Sequence, residues 1–192
     1  MNGNLLIVGA GIYGLVAKEI AETMGCFMNI GFVDDSAMAT LDGTPVIGTT
    51  KDLVALSNEY SNVVVAIGNP KARQNLIRII KEETLLNLVT LVSPNAYVSP
   101  SAQIGKGCII EPMAVVYTGS VLGEGCFICA GAVVNHAAFC GDCVQVDCNA
   151  TVAGNTLVPS NTKIASGTVY EKKKLHGPIP VDGQEYNFED GM

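Results

Sequence analysis

The sequence predicts two fold classes joined in one chain. Residues 1–90 read as an α/β half-fold with about four parallel strands, and residues 91–170 as a parallel β-helix of hexapeptide repeats. A polar tail, residues 171–192, follows. Three observations carry this reading. Apolar runs alternate with helical patterns in the first half, as a parallel α/β sheet requires. A glycine-rich turn joins the first run to the first helix. From Val92 onward the apolar period changes to six.

The N-terminal elements follow in order. "NLLIVGA" reads as a buried strand and "GIYGLVAKEIAETMG" as an amphipathic helix ending at Gly25. "MNIGFVDD" is a second strand, "TTKDLVALSNEY" a helix and "NVVVAIGN" a third strand. "PKARQNLIRIIKEE" is a helix with Pro70 near its start, and "LNLVTLVSP" is a fourth strand.

In the second half nearly every sixth residue is aliphatic, running Val92, Val98, Ile104, Ile110, Val116, Leu122 and onward to Tyr170. The residue four places after each is nearly always small, as at Ala96, Ala102, Cys108, Ala114 and Ser120. This is the signature of a parallel β-helix. "IGKGC", "LGEGC" and "CGDC" recur every eighteen residues, so three hexapeptides make one triangular coil. Positions eighteen apart then stack about 4.8 Å from each other. Such a solenoid has flat faces and makes pockets where prisms meet, which predicts an oligomer, with a trimer expected.

The net charge of −7 argues against nucleic acid and anionic membranes as partners. No apolar run reaches a membrane span and the N-terminus lacks a signal-peptide pattern, so a cytoplasmic location is expected. Seven unevenly spaced cysteines fit reduced thiols. Cys126-x-x-Cys129 and Cys140-x-x-Cys143 have zinc-like spacing. The six-residue register turns Cys126 and Cys140 inward and Cys129 and Cys143 elsewhere, so packing is expected and no metal.

Gly9-x-Gly11-x-x-Gly14 follows a strand and opens a helix, where backbone amides favour a phosphate. Asp34 lies twenty residues after Gly14, at the end of the second strand, within reach of a ribose hydroxyl. Alone, this is a dinucleotide (Rossmann) fingerprint. Ninety residues hold one mononucleotide half, which fits a UDP-sugar better than NAD. A tight turn with no ligand is the plain structural alternative.

His136 falls at a repeat position that is neither aliphatic nor small, and Gly154 stacks one coil away. Imidazole can remove a proton near neutral pH, and an amide N–H can stabilise an oxyanion. That pair suits direct attack of an acceptor on a thioester. A surface histidine beside a glycine is the alternative from spacing alone.

"IVGAGIYG", "GFVDD" and "VVVAIGN", joined to hexapeptide coils containing "NH…GD", resemble the NeuD/PglD family of bacterial sugar acyltransferases up to about residue 170. The resemblance implies a Rossmann-like N-terminal half, a left-handed β-helix, a homotrimer with sites between subunits, and acetyl-CoA as co-substrate. It implies nucleotide-sugar binding at Gly9, Gly11, Tyr13, Gly14, Asp34, Asp35, Gly68 and Asn69. Relatives often carry histidine or another polar residue where Tyr13 stands. His136 matches the general base and Gly154 a glycine that contacts the acyl-CoA. A second CoA-facing histidine of the family falls at Gln145, while Asn155, Ser166 and Gly167 fall near the pantetheine tunnel. An acidic residue commonly follows the base; Ala137 stands there, leaving Asn135 or Asp142 to orient the ring.

The lysines of "EKKKLHGP" either meet the CoA 3′-phosphate or mark a solvated exit from the solenoid, and His176 beyond them is not expected to be catalytic. The leading expectation is acetylation of the amine of a UDP-linked 4-amino-4,6-dideoxy sugar. O-acetylation of a sugar such as sialic acid is the second reading. A nucleotide-sugar-binding scaffold without catalysis is the third.

Overall fold

A computed structural model describes residues 3–36 and 39–172. The last two lysines of the basic run, His176 and the rest of the tail lie outside the described residues. The α/β domain is built from β1 (Gly3–Val8), α1 (Ile12–Met24), β2 (Phe27–Val33), β3 (Thr40–Leu41), β4 (Thr44–Gly48), α2 (Leu53–Leu56), β5 (Asn62–Val65), α3 (Pro70–Glu83) and β6 (Asn87–Leu88). Its sheet order is β3-β4-β2-β1-β5-β6. All pairs are parallel except β3 with β4.

The sheet therefore has six strands where apolar runs indicated about four. The added pair is a hairpin turning at Asp42 and Gly43, too short and too polar on its first strand to register as an apolar run. The helix expected over residues 49–60 shrinks to a 3-10 turn, Thr50–Asp52, and the single turn of α2. Asp52 Oδ2 accepts from the Thr49 N–H and hydroxyl, both at 2.8 Å. Ser57 and Asn58 then donate back to the Val54 and Ala55 carbonyls and end the helix. The fourth apolar run also divides: β6 joins the α/β sheet, and Leu91–Val92 starts the prism.

Two-residue strands run from β7 (Leu91–Val92) to β20 (Val169–Tyr170), stacked as sheets of five, five and four. These are the three faces of a left-handed parallel β-helix. Ile109 pairs with Phe127, Val115 with Val133 and Val121 with Phe139, a register of eighteen on every face. The interior is the ladder read from the sequence, with Ile110, Val116, Ile128, Val134 and Val146 fully buried among Cys108, Cys126 and Cys140. No helix among the described residues is long and apolar enough to cross a membrane.

The first prism face turns toward the α/β domain. Leu91, Ile109 and Phe127 share one buried cluster with Leu5, Ile7, Ala17 and Phe32. Burying a side chain such as Phe127 contributes about 1.5–3 kcal/mol.

Candidate active site

The corner between β14 (Val133–Val134) and β15 (Phe139–Cys140) carries Asn135, His136 and Ala137. One coil on, the corner between β17 (Thr151–Val152) and β18 (Leu157–Val158) carries Gly154 and Asn155. The Asn155 N–H donates to the His136 carbonyl at 3.1 Å, which locks the corners together. The exposed imidazole lies directly on Gly154: a Cβ there would stand 2.7 Å from both Cε1 and Nε2. Within the described residues the Gly154 N–H donates to no acceptor.

Asn135 settles the ring's proton. Its Oδ1 accepts the His136 backbone N–H at 2.7 Å, so this atom is the amide oxygen. The same oxygen lies 2.8 Å from Nδ1. An amide oxygen only accepts, so in the neutral ring Nδ1 carries the hydrogen and Nε2, above Gly154, offers the lone pair. Of the two residues expected to orient the ring, Asp142 is the one the structure removes. It stands at the next corner, where its Oδ1 accepts the Glu124 N–H at 2.8 Å. Ala137 occupies the left-handed corner position at φ 52°, a conformation that costs a non-glycine residue roughly 1–2 kcal/mol.

The glycine loop and its companions gather at the C-terminal ends of β1, β2 and β5, the place where open α/β sheets bind ligands. At Gly14 a Cβ would fall 2.0 Å from the Gly9 carbonyl oxygen, so only glycine lets α1 pack on β1. Around Gly11 there is open space, and no side chain caps α1, leaving its first amides available. Asp34 Oδ2 accepts the Ala10 N–H at 2.7 Å, and Oδ1 accepts the Ser36 N–H at 2.8 Å. These bonds, those of Ser36 foremost, hold its carboxyl below the usual range. Asp35 binds the Thr50 N–H and hydroxyl. Asn69 caps α3 through Ala72 N–H at 3.1 Å. Asp34 thus already braces the glycine loop, whereas Asp35 braces the segment after β4 at Thr50.

Two family models match the chain: PglD N-terminal domain over residues 4–80, and bacterial transferase hexapeptide (six repeats) over residues 101–136. The acetyltransferase domain of PglB from Neisseria gonorrhoeae, solved with acetyl coenzyme A, is 36% identical with a TM-score of 0.84, over 88% of this chain and 82% of that one. The chain belongs to the NeuD/PglD family of sugar acyltransferases. A histidine-to-asparagine mutant of perosamine N-acetyltransferase from Caulobacter crescentus, with CoA and GDP-perosamine, is 26% identical with a TM-score of 0.74, over 90% of each chain. WeeI from Acinetobacter baumannii, at 18% identity and a TM-score of 0.65 over 95% of each chain, shares the fold. Comparison with curated proteins gives no match.

Within this NeuD/PglD chain, His136, Gly154 and Asn155 come together, whereas Ser166 and Gly167 stand on another corner, between β19 (Lys163–Ile164) and β20. Gln145, expected to face CoA, is a correction. It lies on the face covered by the α/β domain, is fully buried, and bonds Tyr13 instead. The five buried cysteines divide among three clusters: Cys108, Cys126 and Cys140 in the prism, Cys129 against α1 and β1, Cys143 against α3. Cys143, turned away from the prism interior, is fully packed, and burial pushes its thiol up to about 11. Among the described residues no three His, Cys, Asp or Glu side chains gather as a metal group.

Sequence reasoning missed Arg73. It is fully buried on α3 and donates to the Gly125, Ile67 and Cys143 carbonyls at 2.7, 2.7 and 2.9 Å. Its guanidinium also lies 3.9 Å over the Phe127 ring. Gly125 and Cys143 are corner residues of successive coils, so Arg73 rivets the two domains. Its one visible signal was an arginine on the apolar stripe of α3, at the i−4 position to Ile77.

Proposed function

We propose that this chain transfers the acetyl group of acetyl-CoA to the amine of a nucleotide-linked 4-amino-4,6-dideoxy sugar, with His136 as general base. The observation that carries the reading is the Asn135–His136–Gly154 arrangement, which puts the lone pair of the neutral ring on Nε2 above an N–H with no acceptor among the described residues. The neutral amine attacks the thioester carbon, and its proton passes to Nε2 as the C–N bond forms. The Gly154 N–H faces the developing oxyanion. The C–S bond then breaks, and the CoA thiolate takes the proton back from the imidazolium. The acceptor is itself the nucleophile, so no serine or cysteine is required. Asn135 does the orienting that an acidic neighbour does in relatives, which favours catalysis over the scaffold reading.

The nucleotide half of the acceptor is assigned to the Gly9–Gly14 loop with Asp34, Asp35, Gly68 and Asn69 around it. The acceptor is read as UDP-linked, and the Caulobacter relative holds a GDP-sugar, so both bases enter the assay. CoA is assigned to the His136 corner with Gly154 and Asn155. A homotrimer is supported by the second prism face, where Tyr97, Tyr117 and Val169 remain 50, 44 and 65% exposed beside that corner. In a trimer a neighbouring subunit covers this face and supplies Ser166 and Gly167.

The test is thiol release from acetyl-CoA over UDP- and GDP-linked 4-amino sugars and sialic acids. Release with a nucleotide amino sugar, yielding the amide, is expected. Release only with sialic acid establishes O-acetylation, and nucleotide-sugar binding without release establishes the scaffold.

A further inference from the structure

Where the glycine loop meets the prism, three side chains form a chain of hydrogen bonds that neither the loop nor the catalytic corner uses. Gln145, on β16 (Gln145–Val146), donates from Nε2 to Asp147 Oδ1 at 2.6 Å and to the Tyr13 hydroxyl oxygen at 2.7 Å. Its Oε1 is buried with no partner. Tyr13 is the second residue of α1. Its ring lies against Gly68, where a Cβ would stand 2.7 Å from Tyr13 Cε2, and tilts on Phe127 with centroids 5.5 Å apart.

The hydrogens in this chain can be counted. A carboxylate only accepts, so Asp147 fixes which end of the Gln145 amide is nitrogen. Lys163 Nζ lies 3.4 Å from Asp147 Oδ2 and helps hold that carboxylate in place. The unpartnered Oε1 is the cost of this orientation, since the flipped amide would set two oxygens 2.6 Å apart. The second Nε2 hydrogen goes to Tyr13, so the phenol oxygen is an acceptor here. Its own hydrogen must then point elsewhere, and no described residue accepts it. The hydroxyl therefore keeps a donor hydrogen where α1 meets the prism, on the ring whose edge lies against Gly68. Burial raises the phenol's pKa, which keeps the donor protonated.

We infer that Gln145 is a positioning residue for the acceptor substrate: with Asp147 it turns the Tyr13 hydroxyl into a fixed hydrogen-bond donor to an oxygen of the nucleotide sugar. This rests on the proposed function, and it moves Gln145 from the CoA side of the reaction to the sugar side. Tyr13 touches substrate, and Gln145 acts through it.

Calorimetric binding tests this without turnover, using a UDP-linked and a GDP-linked 4-amino sugar on one side and acetyl-CoA on the other. Tyr13→Phe and Gln145→Leu are each expected to weaken nucleotide-sugar binding about tenfold, the scale of one hydrogen bond. Acetyl-CoA affinity stays unchanged, and the double variant is no weaker than the single ones, because both break one path. A bond that merely held the domains together would lower the melting temperature without this split between ligands. Should Gln145→Leu fail to fold, Tyr13→Phe keeps the ring contacts and carries the test. Unchanged sugar binding in both variants, or weakened acetyl-CoA binding, overturns the inference and leaves the proposed function standing. A wild-type protein that binds neither nucleotide sugar overturns both.

Discussion

Replacing Gly154 with alanine probes the catalytic corner with one methyl group. That methyl would stand 2.7 Å from His136 Cε1 and Nε2. Carbon contacts are comfortable at about 3.5–4.0 Å, so the ring must retreat by roughly 0.8 Å or more. Gly154 does not use a left-handed conformation, so its backbone accepts alanine, and the exposed ring is free to move. Its hold on Asn135 Oδ1 loosens as it does. A misplacement of about 1 Å in a reacting group costs about 10²-fold, or roughly 2.7 kcal/mol of barrier. Gly154→Ala is therefore expected to lose about 10²-fold in kcat for thiol release from acetyl-CoA, with a melting temperature close to wild type. In a His136→Ala background the same change costs nothing further. A Gly154→Ala variant within threefold of wild-type kcat would refute the argument that Nε2 works over this glycine.

Other consequences concern the junction and the loop. Arg73→Ala leaves two buried carbonyls and one part-buried carbonyl unpaired, the buried ones at about 1–3 kcal/mol each, and is expected to destabilise the chain by about 3 kcal/mol or more in urea titration; a loss under about 1 kcal/mol contradicts the rivet. Glu111, buried with its Oε2 on the Ala130 N–H, has its pKa raised by that burial. A raised acid loses its stabilising contribution as pH climbs through its folded pKa, so Glu111→Gln gains more melting temperature over wild type at pH 8 than at pH 4, and a constant difference refutes this. Asp34, held low by Ser36 and Ala10, contributes stability above its unfolded pKa of about 3.9 and loses it as pH falls through the lower folded value. Asp34→Asn is thus expected to melt below wild type at pH 7, with the gap narrowing as pH falls into the acid range; a gap that does not narrow contradicts the sign.

The prism was legible almost residue by residue, because a six-residue period repeats the same local choice many times. Ile128 and Ala132 are buried for the reason that Ile110 and Ala114 are, and the register of eighteen follows from it. His136 stood out as a corner residue without a packing role, and Gly154 as its stacked neighbour. The α/β half was less legible because each element occurs once. The β3–β4 hairpin is held by tertiary pairing rather than apolar pattern, and local capping by Asp52, Ser57 and Asn58 shortens α2 against its propensity. The domain junction was not legible at all. Gln145 meets Tyr13 across 132 residues, and Arg73 meets Cys143 across 70. Arg73 also binds carbonyls rather than a carboxylate, so no charge pattern announces it.

The central claim is that His136 takes the proton from an acceptor amine attacking acetyl-CoA. Its most direct measurement is kcat for thiol release with a nucleotide-linked 4-amino sugar, wild type against His136→Ala, with sugar and acetyl-CoA affinities measured alongside. Losing a general base lowers kcat by about 10²–10⁴-fold while both ligands still bind and the fold remains intact. A His136→Ala variant with near-normal kcat would contradict the account.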